Sequence, residues 1–175
     1  MRLFFFSPLR RLPTVLAIAA ACLACATVHA QALPPGVQIG MSADALQAAL
    51  PTVERVARPQ RLPGGLAGSW RLAPTMLAGL PFEATFYFAG STLRRVEYVA
   101  AAQIEPDRGA GAFAQLLEWG RAAFGPEVGA RDPGNAYASW VSGDTDVYAQ
   151  HVDEPRRASV RLVYKARQLK DGGEL

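Results

Sequence analysis

Residues 82–100 read FEATFYFAGSTLRRVEYVA, which is the clearest structural signal in the chain. Four apolar side chains alternate there with their neighbours, the period-two pattern of a strand with one buried face: Phe82, Ala84, Phe86 and Phe88. Gly90-Ser91 is a turn signal, so residues 93–100 are the returning strand of a β-hairpin. Because Leu93 and Val96 cannot share a face of a regular strand, we predict a bulge near Arg94-Arg95.

Two amphipathic helices are predicted on either side of this hairpin. Ser42 is a suitable N-cap for a first helix that carries Leu46 and ends at Pro51. The second helix covers residues 107–124 and stops at Gly125-Pro126. Its apolar face has helical spacing and consists of Phe113, Leu116, Leu117, Gly120 and Phe124.

Four further strands follow from shorter apolar runs, at residues 69–73, 136–141, 147–152 and 158–165. The segments expected to be irregular are 52–66, 74–81 and 127–135. The fold class predicted is α+β, an antiparallel sheet with helices packed on one face. The order helix, three strands, helix, three strands also suggests two repeats, at residues 38–101 and 107–167.

The N-terminus has the pattern of a secretory signal peptide over residues 1–30. Arg2, Arg10 and Arg11 precede an apolar run at residues 12–26, and Val28-His29-Ala30 is a small-x-small cleavage site. We therefore expect a periplasmic protein with a flexible segment at 31–37, one domain at 38–167 and a polar tail at 168–175.

Removing this leader changes the composition. The whole chain has 18 basic and 15 acidic residues, but residues 31–175 have 15 of each, which argues against nucleic acid as a partner. Cys22 and Cys25 both lie in the leader, so the mature chain has no thiol chemistry. Neither cysteine follows the Leu of a lipobox, and ordinary cleavage is therefore favoured over lipid anchoring. No later stretch is long and apolar enough to span a membrane.

Chemistry-bearing patterns are sparse, and we predict no catalytic, cofactor-binding or metal-binding residue. His151 is the single histidine after the leader, so a multi-histidine zinc site cannot form. Asp144 and Asp146 lack the remaining ligands of a calcium loop. Two alternatives stay open: a hydrolase of envelope sugars or peptides that uses carboxylates, and a small-ligand carrier with a groove between helices and sheet.

The aromatic residues divide into two groups. Phe86, Phe88, Phe113 and Phe124 have the periodicity of a core. Five others are candidates for an exposed interaction surface, although cross-strand pairing would also explain them: Trp70, Tyr87, Tyr98, Trp140 and Tyr148.

One family resemblance rests on Gly40-Met41-Ser42, the Trp70 strand and the run FYFAGSTL at residues 86–93. Together they resemble small envelope domains of the SmpA/OmlA type and the related fold of secreted β-lactamase inhibitor proteins. The chain departs from that pattern at Ala49-Leu50-Pro51, where the family has Leu-Gly-x-Pro, and in its leader. The resemblance implies an α+β fold, with helices against one face of an antiparallel sheet, and non-catalytic protein binding in envelope assembly or inhibition. From this, the leader, the neutral mature chain and the missing catalytic residues we expect a protein-interaction module of the envelope, with the open sheet face as its contact surface.

Overall fold

A computed structural model describes residues 33–132, 135–154 and 156–167, without the side chains of 130–134. The expected signal peptide and polar tail lie outside the described residues. The helices are α1 (Ala43–Ala49) and α2 (Ala110–Phe124). The strands are β1 (Glu54–Arg55), β2 (Arg61–Leu62), β3 (Leu66–Leu77), β4 (Leu80–Ala89), β5 (Thr92–Ala101), β6 (Val128–Asp132), β7 (Asn135–Ser142), β8 (Thr145–Glu154) and β9 (Arg157–Ala166).

The described residues form a mixed α/β structure that is mostly sheet. Its nine strands make one antiparallel sheet in the order β1-β3-β4-β5-β9-β8-β7-β6, with β2 also paired to β3. Two meanders, β3-β4-β5 and β7-β8-β9, meet where β5 pairs with β9. This central pairing joins residues far apart in sequence, so neither meander alone determines that β5 pairs with β9.

The core lies on one face of the sheet. A row of directly opposed buried residues crosses six strands: Trp70, Phe86, Val96, Tyr164, Val147 and Trp140. The two tryptophans occupy the ends of this row, on β3 and β7. Burial of these side chains removes much apolar area from water and is the main stabilising contribution of the fold.

Both helices cover this same face. Leu46 of α1 is fully buried and belongs to one core cluster with the sheet residues and with Phe113 and Leu116 of α2. The Ser42 cap is confirmed, since its Oγ accepts a hydrogen bond from Ala45 N at 3.2 Å. Val37, within the segment expected to be flexible, is also buried in this cluster. Of the described helices, none is long and apolar enough to cross a membrane.

The start of α2 differs from the prediction by three residues. Arg108 and Gly109 adopt left-handed backbone conformations, with φ of 54° and 90°, so the helix begins at Ala110. The Asp107 carboxylate accepts hydrogen bonds from Gly109 N at 3.0 Å and Gly111 N at 2.7 Å. These backbone donors lower the pKa of Asp107, because they stabilise its charged form.

The hairpin and its bulge are confirmed. Tyr87 pairs with Arg95 and Phe88 pairs with Leu93, so Arg94 is the extra residue on β5. The bulge lets Leu93 and Val96 both point into the core, where both are fully buried.

Three segments expected to be irregular contain strands. β1 and β2 lie within 52–66, β3 extends to Leu77 and turns at Ala78-Gly79, and β6 lies within 127–135. β1, β2 and β6 lie at the edges of the sheet, and the added part of β3 is a strand end exposed to solvent. Strands in such places can pair through their backbones without alternating apolar side chains, so the sequence pattern did not reveal them. A register shift between Leu72 and Thr75 accommodates Pro74 within β3.

Candidate functional site

The opposite face of the sheet carries neither of the two helices found in the described residues; we call it the helix-free face, and it is the candidate interaction site. Of the five aromatics considered as candidates for an exposed surface, Trp70, Tyr98 and Trp140 point into the helix-covered core. Tyr87 lies on the helix-free face but is only 3% exposed. Four of the five candidates are therefore buried, which agrees with the alternative of cross-strand pairing, and Tyr148 is the one of the five that is partly exposed. The sequence left both alternatives open because strand alternation defines two faces without showing which one the helices cover.

A Tyr–Arg cluster occupies the middle of this face, formed by Tyr87, Arg95, Glu97, Tyr148 and Arg161. The Arg95 guanidinium lies 5.9 Å from the Tyr87 ring centroid and 5.7 Å from that of Tyr148, which places it within cation–π range of both. Arg95 Nε and Nη2 donate to Glu97 Oε2 at 3.2 and 3.0 Å. Side chains of the sheet itself thus order this arginine.

Glu97 is a buried carboxylate between two cations. Arg161 Nε lies 2.8 Å from Glu97 Oε1, although its N–H does not point at that oxygen in hydrogen-bond geometry. Burial raises the pKa of Tyr87 and of Tyr148, because the phenolate would be desolvated there. The Tyr87 hydroxyl and Gln60 Oε1 are 3.0 Å apart, so the segment between β1 and β2 contacts the cluster.

An apolar patch lies beside the cluster, formed by Val128 of β6 and Tyr137 and Val141 of β7. Their exposed fractions are 76%, 40% and 52%. Register places all three on the helix-free face, since Val128 opposes Ser139, which opposes Tyr148. The Tyr137 and Tyr148 ring centroids are 5.7 Å apart, which joins the patch to the cluster.

Sequence reasoning missed this patch for identifiable reasons. Val128 fell in a segment expected to be loop. Ala136, Ala138 and Trp140 alternate inward, so the same alternation could have placed Tyr137 and Val141 outward.

Of the two aspartates considered for metal binding, Asp146 is paired with cations. Asp146 lies 3.5 Å from Lys165 Nζ and 3.9 Å from Arg167 Nε, while Asp144 is exposed in the preceding turn. Across residues 33–132, 135–154 and 156–167, no three His, Cys, Asp or Glu side chains cluster as a metal site would require.

The His151 side chain contacts α2 and the left-handed segment that precedes it. Its ring stacks on Phe113 with centroids 5.8 Å apart, and Nε2 lies 2.9 Å from the Arg108 carbonyl oxygen. The Arg108 side chain pairs with Asp153. These contacts hold the left-handed segment before α2 against β8.

A groove of about 230 Å³ runs between α2 and the β6–β7 edge. Phe113, Leu117 and Ala138 line it, together with the paired Arg121 and Glu127. The hydrogen bond from Arg121 lowers the pKa of Glu127 to about 2. Typical small-molecule sites have volumes of roughly 300–1,000 Å³, so this groove suits a ligand carrier poorly.

None of three comparisons, with family models, with curated proteins and with solved structures, gives a match to this chain. The resemblance to SmpA/OmlA-type domains therefore stays a prediction.

Glu97→Gln is expected to lower the free energy of unfolding by about 1–3 kcal/mol. The amide keeps the shape of the side chain but removes the charge that Arg95 and Arg161 share. We place the loss below that of a fully buried pair because Arg161 is partly exposed. The change in the free energy of unfolding would be measured by urea denaturation.

Glu83→Gln is the matched control for this substitution. Glu83 lies on the same face and pairs with Arg71 at 3.6 Å, but both side chains are well exposed. Its loss should stay below about 0.5 kcal/mol. Equal losses in the two variants would show that the Glu97 ion pairs contribute no more than surface ones.

Proposed function

We propose that this protein is an exported, non-catalytic protein-interaction module of the bacterial envelope that binds its partner through the helix-free face. The observation that carries this proposal is the grouping of exposed Val128, Tyr137 and Val141 beside Tyr148. Contiguous apolar patches on a folded surface are typical of protein contact sites, and tyrosine is enriched there.

The geometry of the patch suits a preformed contact site. β6, β7, β8 and β9 pair without a register shift, so the residues of the patch have fixed relative positions. A surface that is already ordered loses less conformational entropy on binding. The Tyr–Arg cluster adds a rigid polar region next to the apolar one.

The leader pattern at residues 1–30 and the family resemblance support the envelope location and the binding role. The symmetric strand order supports the proposal of two related repeats. Their outer strands end the buried row with Trp70 and Trp140, and their last strands, β5 and β9, pair at the centre.

Tyr137→Asp combined with Val141→Asp is expected to lower recovery of the partner at least about tenfold, because charges would replace the apolar contact. The mature protein would be immobilised and exposed to an envelope extract, and bound proteins quantified by mass spectrometry. Both positions are exposed, so the fold should be retained and circular dichroism should be unchanged.

Gln103→Asp combined with Ile104→Asp is the matched control. These neighbouring residues are exposed on the connection to α2, and the change adds the same two charges away from the patch. A partner recovered equally by both variants, or a complete lack of specific partners, would contradict binding through the helix-free face.

A further inference from the structure

This inference rests on the proposed function and specifies the chemistry of the partner. We infer that the helix-free face binds an acidic protein segment, in which carboxylates stand beside apolar or aromatic side chains. The supporting observations are the ion pairs formed by charged side chains of β5, β8 and β9 and the exposed fractions of those side chains.

Two carboxylates on this face are each surrounded by two cations. Glu97 pairs with Arg95 and Arg161, and Asp146 pairs with Lys165 and Arg167. This central region therefore has four cations and two anions.

The cations are also the more accessible groups. The Glu97 side chain is 8% exposed against 35% for Arg161, and that of Asp146 is 26% exposed against 46% for Lys165 and 44% for Arg167. The carboxylates are the less exposed groups, and Arg95 is itself only 16% exposed, so the charge offered to a partner comes mainly from Arg161, Lys165 and Arg167 and is positive even though residues 31–175 are formally neutral.

The strand register places this positive region at a fixed distance from the apolar patch. Arg161 opposes Gln150, which opposes Tyr137, and Lys165 opposes Asp146, which opposes Val141. Arg161 and Lys165 are thus each two strands from an apolar residue, a separation of about 10 Å. A partner segment that crosses the strands would meet a cation and then an apolar surface.

Arg161 is suited to a partner carboxylate. Its Nε lacks a well-formed hydrogen bond within the described residues, although it lies close to Glu97. That Nε is itself buried, but the side chain as a whole is 35% exposed, and the terminal nitrogens of a guanidinium can donate to a carboxylate in bidentate geometry.

A protein segment fits this face better than a polyanion does. Strong binding of nucleic acid, or of an anionic membrane, relies on many uncompensated cations, whereas here two internal carboxylates neutralise half of the positive charge. The exposed tyrosine and valines add contact area that a phosphate or sulfate chain would not use.

The test measures binding of the mature protein to fluorescently labelled random poly(Glu,Tyr) by anisotropy, with poly(Lys,Tyr) and poly-glutamate for comparison. We expect binding in the order poly(Glu,Tyr), poly-glutamate, poly(Lys,Tyr), the last not detectable. The affinity should fall at least about fivefold between roughly 50 and roughly 500 mM salt, because exposed charges are screened. Lys165→Glu with Arg167→Glu should weaken poly(Glu,Tyr) binding about tenfold.

Arg55→Glu with Arg61→Glu is the matched control, with the same change in net charge. Both residues are exposed at the β3 edge, and their register with Trp70 and Ala67 places them on the helix-covered face. Poly(Glu,Tyr) binding should change less than about twofold in this variant.

Four results would overturn the inference. Equal binding of poly(Lys,Tyr) would exclude recognition of acid. Tighter binding of heparin or of phosphatidylglycerol vesicles would indicate a glycan or a membrane. A dimer in sedimentation that dissociates in the Tyr137→Asp/Val141→Asp variant would indicate a second copy. If that variant loses its extract partner while poly(Glu,Tyr) fails to bind, the interaction function stands and the acidic partner is rejected.

Discussion

Phe86→Ala should reduce the free energy of unfolding by about 3–5 kcal/mol. Phe86 is fully buried at the centre of β4, with Trp70 directly opposite on β3 and Val96 opposite on β5. Truncation removes the buried ring and leaves a cavity that the two neighbouring strands cannot close, because backbone hydrogen bonds fix their spacing.

Urea denaturation followed by circular dichroism measures this loss. Met76→Ala is the control, since that side chain is 71% exposed at the far end of β3, and it should change stability by less than about 0.5 kcal/mol. A loss below about 1 kcal/mol for Phe86→Ala would show that the ring contributes little to the core.

Trp140→Ala should also reduce the free energy of unfolding by about 3–5 kcal/mol. It should in addition reverse the sign of the stability change caused by Gly120→Ala. The Trp140 indole is buried under α2, and its Nε1 donates to the Gly125 carbonyl oxygen at 3.1 Å. Gly120 of α2 faces this ring so closely that an added Cβ would lie 2.3 Å from it.

Gly120→Ala should therefore destabilise the native protein by about 1–3 kcal/mol, because α2 or the indole must move. In the Trp140→Ala background the ring is absent, and the same substitution should stabilise by about 0.5–1 kcal/mol through the higher helix propensity of alanine. The four proteins form a double-mutant cycle in urea denaturation. The same sign for Gly120→Ala in both backgrounds would mean that the indole does not set the distance between α2 and the sheet.

Local patterns identified much of the secondary structure. Ser42 was recognisable as a cap because the interaction spans three residues, and the Arg94 bulge followed from the spacing of Leu93 and Val96. The core role of Phe86 and Phe113 followed from periodicity and is confirmed by their burial.

The candidate site was only partly predictable. Tyr148 was one of five candidate aromatics and is the one that is partly exposed, while Trp70 and Trp140 were not recognised as the ends of the core row. Alternation assigns Trp140 and Tyr137 to opposite faces, yet it does not say which face α2 covers. Glu97 gave no signal of burial, because its cover comes from side chains on neighbouring strands.

What the sequence determined by itself is the set of local elements: the hairpin at residues 82–100, the cap of α1, the end of α2 and the alternation within β7, β8 and β9. Only the tertiary structure decided that β5 pairs with β9, that β6 extends the sheet, and which of its two faces the helices cover. Periodicity reports contacts within a few residues, whereas strand pairing and helix packing depend on the free energy of burying surfaces that are distant in sequence. The helix-free face and its Tyr–Arg cluster arise from those distant contacts.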